Sequence, residues 1–226
     1  MKLSHQLNLN GIGMTSLRTR ERLLGRLMEQ GIKNMQVLDV IRSTPRHIFL
    51  DEALSHRAYE DVALPIGYGQ TISQPYVVAK MTEIVSASRQ LKSVLEIGTG
   101  CGYQTAIISR MAKKVYTIER IKPLLERAKK NLKLLGIKNV EFKHNDGSLG
   151  WEDRAPFDAI ITTAAPQMVP AELYQQLSSE GGSLVIPVGV DNKQDLKHIV
   201  KSGQNIHTEN LGSVRFVPLL TGQIHT

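Results

Sequence analysis

The residues best suited to chemistry in this 226-residue chain form a glycine-studded run, Glu96-Ile97-Gly98-Thr99-Gly100-Cys101-Gly102, with further carboxylates at Glu119 and Asp146. Glycine at every second position lets the backbone turn sharply and approach a ligand with no Cβ in the way. The run departs from the G-x-G-x-x-G spacing of pyrophosphate loops, because Tyr103 stands three residues after Gly100 and Thr105 three after Gly102. It fits instead a ligand that brings a cation and a zwitterionic amino acid to the loop, with Glu96 orienting the ammonium group. Glu119, 23 residues further on, suits the two hydroxyls of a ribose. Asp146, followed by Gly147, suits an adenine amino group and reads equally as a turn residue. An adenosyl ligand meets the three acids in order.

Other chemistries find little support. Cys101, the one cysteine, sits in the glycine run with no nearby histidine to activate it, and a single thiol excludes an internal disulfide or a thiolate-rich metal cluster. His5, His47, His56, His144, His198, His207 and His225 are scattered without ligand or triad spacing, so no metal is expected.

These groups need strands that end beside them. Val94-Leu95-Glu96-Ile97 reads as a buried strand, Thr105 to Ala112 as a helix, Val115 to Ile118 as a second strand, Pro123 to Leu135 as a helix and Val140-Glu141-Phe142 as a third strand. Asp158 to Thr162 and Ser183 to Ile186 supply two more, with a helix beginning near Pro170. This alternation predicts an α/β fold with a doubly wound, mostly parallel sheet. Leu196 to Val200 and Val214 to Leu219 are expected to form an antiparallel, hairpin-like edge. Ahead of the sheet, Ser16 and Asn34 are candidate caps for helices ending near Gly31 and before Pro45. A glycine-rich loop, 65–75, then leads into a helix carrying Val77, Val78, Met81, Ile84 and Val85. Residues 1–15 are expected to be a loose lead, with Met14 a second start, and 16–226 a single domain: a helical front over 16–90 and the sheet over 91–226.

Composition is that of a globular protein, 41% hydrophobic and 22% charged, with no apolar run long enough to span a bilayer. With no secretory apolar core at the N-terminus, a cytoplasmic setting is expected. The net charge of +7 raises nucleic acid as a partner, yet residues 110–143 alone hold eleven Lys or Arg against three acids. Leu124, Leu125, Ala128, Leu132 and Leu135 recur there at helical spacing, which leaves Arg127, Lys129, Lys130 and Lys133 mostly toward water as a solvated face. With only Tyr116 and Phe142 as aromatics in the stretch, no nucleic acid is expected as a partner.

Three acids at successive strand ends resemble the S-adenosylmethionine site of Rossmann-like class I methyltransferases. After the fourth strand, Thr162-Thr163-Ala164-Ala165-Pro166 lacks the polar and aromatic groups that would stack and accept from a base amine. The segments Ala63-Leu64-Pro65-Ile66-Gly67-Tyr68-Gly69-Gln70-Thr71-Ile72-Ser73-Gln74-Pro75-Tyr76 and Arg215-Phe216-Val217-Pro218-Leu219, flanking Val94 to Ala106, closely resemble the protein-L-isoaspartate (D-aspartate) O-methyltransferases. The likeness runs from about Ser16 to Leu219.

The resemblance implies methyl transfer from S-adenosylmethionine to the free carboxylate of isoaspartyl residues in damaged proteins and peptides, by a monomer needing neither membrane nor metal. It implies Ser73 as the active-site residue, with Thr71, Phe216, Val217 and Pro218 binding substrate. Gln74, Pro75, Tyr76 and Val77 would lie along the cofactor, beside Glu96, Gly98, Gly100, Gly102, Glu119, Asp146 and Gly147. Read without the resemblance, Ser73 is a helix cap ahead of Pro75, and the two roles are compatible. A methyltransferase acting on RNA and an adenosyl-ligand sensor are the rival readings.

Overall fold

The computed structural model of the chain describes residues 9, 11–87, 90–191 and 193–226; most of the expected loose lead lies outside them. The first helix, Leu17–Glu29, buries Leu23, Leu24 and Leu27 on one face and ends ahead of Gly31, whose φ of 97° a residue with a Cβ would resist. Ser16 occupies its N-cap position, but the Ser16 hydroxyl meets the Thr19 hydroxyl at 3.3 Å and caps no amide. Asn34 is a true cap: its side-chain oxygen accepts from the amides of Gln36 and Val37 and starts the Met35–Ser43 helix. These two helices and the Pro75–Ser86 helix pack together.

The 65–75 segment is more ordered than the loop expected of it. Strands β1, Leu64–Gly67, and β2, Gln70–Ile72, form an antiparallel hairpin. The main sheet follows: β3 Leu91–Ile97, β4 Ala112–Glu119, β5 Val140–His144, β6 Ala159–Thr162, β7 Glu180–Val190, β8 Lys193–Ser202 and β9 Asn205–Val214, in the order β5-β4-β3-β6-β7-β8-β9. The first five are parallel, while β8 and β9 are antiparallel to their neighbours. The fold is therefore the doubly wound α/β sheet expected, with an antiparallel edge.

Side chains on β3 divide by parity. Leu95 and Ile97 join a core with Ile160, Leu184, Trp151 and Phe157 on one face. Val94 joins Met81, Val85 and Ile108 on the other. The Tyr103–Ser109 and Lys122–Leu134 helices share a third apolar cluster with the helical front, so the front and the sheet bury surface against each other.

Three local expectations are corrected. The helix read as Thr105 to Ala112 runs from Tyr103 to Ser109, and Ala112 already belongs to β4; the Asn139 amide fastens the turn by donating to the carbonyls of Ser109 and Ala112. The edge strand is Asn205–Val214, not Val214 to Leu219. Residues 216–219 instead cross toward the sheet, with Phe216 bonded both ways to the Gln194 side chain and Pro218 bridged to Ala165. Arg127 does not face water freely: it donates to the carbonyls of Phe49 and Ile66 and pairs with Asp51 at 3.0 Å, tying the basic helix to the front.

Candidate active site

In an open parallel sheet the ligand crevice lies past the carboxyl ends of the strands, where the chain leaves one strand in opposite directions. Here that point is β3, with β4 on one side and β6 on the other. A cleft opens there, enclosing about 790 Å³ including space open to solvent. It is lined by Ile97 to Cys101, Ile118 to Ile121, Gly147 and Thr163 at the strand ends, by Tyr103, Gln104 and Ala164, by Gln70 to Ser73 with Val78, and by Val217 to Leu220.

The glycine run is held from both sides. Gly98 has a φ of 92°, its carbonyl accepts from the Thr163 hydroxyl at 2.6 Å, and a Cβ there would collide with that hydroxyl. Gly102, with a φ of 91°, lies away from the cleft, where a Cβ would meet Leu132 at 2.6 Å. Gly102 thus serves helix packing, while Gly98 and Gly100 present bare backbone to the cleft.

The three acids behave differently. The Glu119 carboxylate lines the cleft and accepts from the Gly100 amide at 2.8 Å and the Ile121 amide at 2.9 Å. Burial raises its affinity for a proton, and those amides oppose the shift. Asp146 stands beside the cleft without lining it; its oxygens accept from the amides of Ser148 and Gly222, so its turn role is realised. Gly147, next to it, does line the cleft.

Glu96 has no access to the cleft. The parity that sends Ile97 one way sends Glu96 under the Tyr103–Ser109 helix, fully buried, where it accepts from the hydroxyls of Thr105 at 2.5 Å and Thr117 at 2.6 Å. The Glu96 side chain therefore does not reach an ammonium group bound in the cleft. Burial pushes the Glu96 carboxyl up to about 8. An unfolded glutamate titrates near ~4.3, so between these values the folded chain holds a proton that the unfolded chain releases. This contribution to stability is complete below about pH 4 and is lost as pH rises through about 8. Glu96→Gln keeps an acceptor for both threonines. Its melting temperature should vary less between about pH 5 and 8.5 than that of the unmodified chain and exceed it at the alkaline end; parallel curves would place the slope elsewhere.

Ser73 lines the cleft with Thr71, and Gln74, at the N-cap of the Pro75–Ser86 helix, makes no capping bond with its own side chain. Asp61 takes over the capping role, since its carboxylate accepts from the Tyr76 amide at 2.8 Å and from the Gln74 side chain at 3.1 Å. This leaves the Ser73 hydroxyl available. Gln74, Pro75, Tyr76 and Val77 follow the cleft wall without lining it, and Val78 is the helix residue that does. Val217 and Pro218 line the cleft, whereas Phe216 packs against a core cluster.

Sequence reasoning missed Asp61, Thr163 and Arg120, the last two lining the cleft. Thr163 and Arg120 each follow a strand end that the alternation had marked, a usable signal; Asp61 caps an amide 15 residues away, and no local pattern marks it. Among the described residues no group of three or more His, Cys, Asp or Glu is placed to hold a metal ion. No helix among them is long and apolar enough to cross a membrane.

Known proteins share this arrangement. Residues 18–224 match the family model described as protein-L-isoaspartate(D-aspartate) O-methyltransferase. The chain is 54% identical over 220 residues to a protein-L-isoaspartate O-methyltransferase of Cellvibrio japonicus, covering 96% of this chain and 97% of that one. It is 56% identical over 216 residues to protein-L-isoaspartate O-methyltransferase 1 of Marinobacter nauticus, covering 96% and 98%. Among solved structures, a putative enzyme of this name from Plasmodium falciparum, in complex with S-adenosyl-L-homocysteine, superposes with a TM-score of 0.76 at 28% identity, covering 89% of this chain and 98% of that one. With the switch-point cleft, the glycine run and the Ser73 wall in one place, the chain belongs to the protein-L-isoaspartate(D-aspartate) O-methyltransferase family.

Proposed function

We propose that Ser73 orients the free α-carboxylate of an L-isoaspartyl residue for methylation, within a single domain spanning 16–226, and that D-aspartyl residues are the second class that the family's name admits. The observation that carries this reading is that Ser73 and Thr71 face the same cleft as the Gly98–Gly100 backbone and Glu119. S-adenosylmethionine, when bound, supplies a methyl group on a positively charged sulfur.

The rest follows from what the chain's residues must do. A main-chain carboxyl titrates near 3.3–3.7, so the substrate oxygen is already an anion at neutral pH and needs no base. Among the described residues no histidine lines the cleft. Ser73 donates one hydrogen bond to the carboxylate, fixing its direction while leaving a lone pair of the other oxygen free to attack. Val217 and Pro218 supply apolar wall against the substrate backbone and help exclude water from the two charges being joined. Glu119 accepts from the ribose hydroxyls, and Gly98 and Gly100 allow close backbone approach. The methyl ester can expel methoxide, whereas the carboxylate would have to expel oxide. The neighbouring amide nitrogen displaces methanol to close a succinimide, whose hydrolysis returns part of the chain to normal aspartate.

RNA methylation is the weaker reading because the basic stretch carries only Tyr116 and Phe142 as aromatics to stack on bases, and its Lys129, Lys114 and Arg127 are paired with Glu126, Glu141 and Asp51. The isoaspartyl reading makes the protein a cytoplasmic monomer acting on damaged proteins and peptides, with no nucleic acid or membrane partner. Labelled S-adenosylmethionine offered with two peptides identical except for Asp or isoAsp at one site tests it. Base-labile label confined to the isoAsp peptide is expected; label on added RNA, or cofactor binding with no transfer, overturns it.

A further inference from the structure

The β1–β2 hairpin closes through Tyr68 and Gly69, with φ of 55° and 67°, between paired Gly67 and Gln70. Two central residues of positive φ define the tight hairpin turn in which Asn-Gly is favoured. Gly69 adopts that conformation freely, but a tyrosine brings a Cβ that the left-handed region disfavours. Packing within the chain does not compensate, because Tyr68 is 56% exposed. A large aromatic therefore occupies a position where local energetics select against it and the core gains little from it.

Its place in the fold gives the reason. Two residues on, the chain enters the cleft, and Gln70, Thr71 and Ser73 form its wall. Leu220 lines the same cleft while 49% exposed. An isoaspartyl carboxylate that reaches Ser73 must carry its neighbouring residues out past this rim. We infer that Tyr68 is a specificity-determining residue, whose ring packs against an apolar or aromatic side chain flanking the isoaspartyl residue. Aromatic rings supply broad contact area at small entropic cost, which suits a surface that meets many sequences. The inference rests on the isoaspartyl reading of the cleft.

The test is Tyr68→Asn, which installs the favoured Asn-Gly pair. Relief of the backbone should raise the melting temperature by about 1–3 °C. Two isoAsp peptides are compared, one with Phe and one with Gly beside the isoaspartyl residue. The variant should lose about five- to tenfold in kcat/KM on the Phe peptide, through KM, a loss in the range of one aromatic contact. On the Gly peptide it should stay within about twofold, and affinity for S-adenosyl-L-homocysteine should not change. Equal effects on both peptides, or none, overturn the assignment of Tyr68. If the unmodified chain fails to methylate either isoAsp peptide, the reading of the cleft fails and takes this inference with it.

Discussion

Ser73→Ala is expected to lower kcat on an isoaspartyl peptide by about 10- to 100-fold, the range for losing one hydrogen bond that positions a reacting group. Affinity for S-adenosyl-L-homocysteine should stay within about twofold, because Ser73 follows the hairpin whereas Glu119 and the glycine run stand at the ends of β4 and β3. The melting temperature should barely move. Asp61, not Ser73, holds the Tyr76 amide at the start of the Pro75–Ser86 helix, so the alanine leaves no helix amide unpaired. Stopped single-turnover methylation and calorimetry with the product cofactor read the two quantities separately. Full retained turnover would remove Ser73 from the reaction. A fall of several degrees in melting temperature with unchanged turnover would make it a structural residue.

The contrast between Ser73 and Asp61 shows where the sequence is informative. Strands β3, β4, β6 and β7 stand out because central parallel strands are buried on both faces and so read as unbroken apolar runs. The acids and glycines after them mark the cleft for the same reason, since the chain must leave each strand at the same end of the sheet. Strand β9 escapes notice because it lies at the edge with most of its residues exposed, leaving no alternation to detect. Glu96 follows a subtler rule. Its place among acids at strand ends suggests a ligand contact, but the period of two that turns Leu95 and Ile97 toward one core turns Glu96 toward Thr105 and Thr117. Position along the strand told less than parity. Ser73 became legible only through resemblance, for its hydroxyl looks like a cap until Asp61, distant in sequence, is seen to fill that role.

Glu119→Gln carries the opposite signature to Ser73→Ala: affinity for S-adenosyl-L-homocysteine should fall about 100-fold, close to ~2.7 kcal/mol, with a smaller loss of turnover at saturating cofactor. The carboxylate has two oxygens and each already accepts a backbone amide, Gly100 at one and Ile121 at the other. An ionised carboxylate has acceptor capacity left over for two ribose hydroxyls; a glutamine amide has one oxygen and an NH2 that only donates. Whichever way the amide turns, its NH2 faces one of those two N–H groups. A buried amide left unpaired costs about 1–3 kcal/mol, and the loss of a charged acceptor for one ribose hydroxyl adds a similar amount to the cofactor complex. Because the Gly100 amide belongs to the glycine run, part of the penalty already falls on the empty protein, and its melting temperature should drop by about 2–6 °C. Burial raises the affinity of Glu119 for a proton, so cofactor binding to the unmodified chain should also weaken as pH falls, and this dependence should vanish in the glutamine variant. Titration calorimetry of both proteins across the acid range measures it. Unchanged affinity in Glu119→Gln would mean that the ribose is held elsewhere, and the carboxylate would then be left with its one visible role, fastening the glycine run to the end of β4.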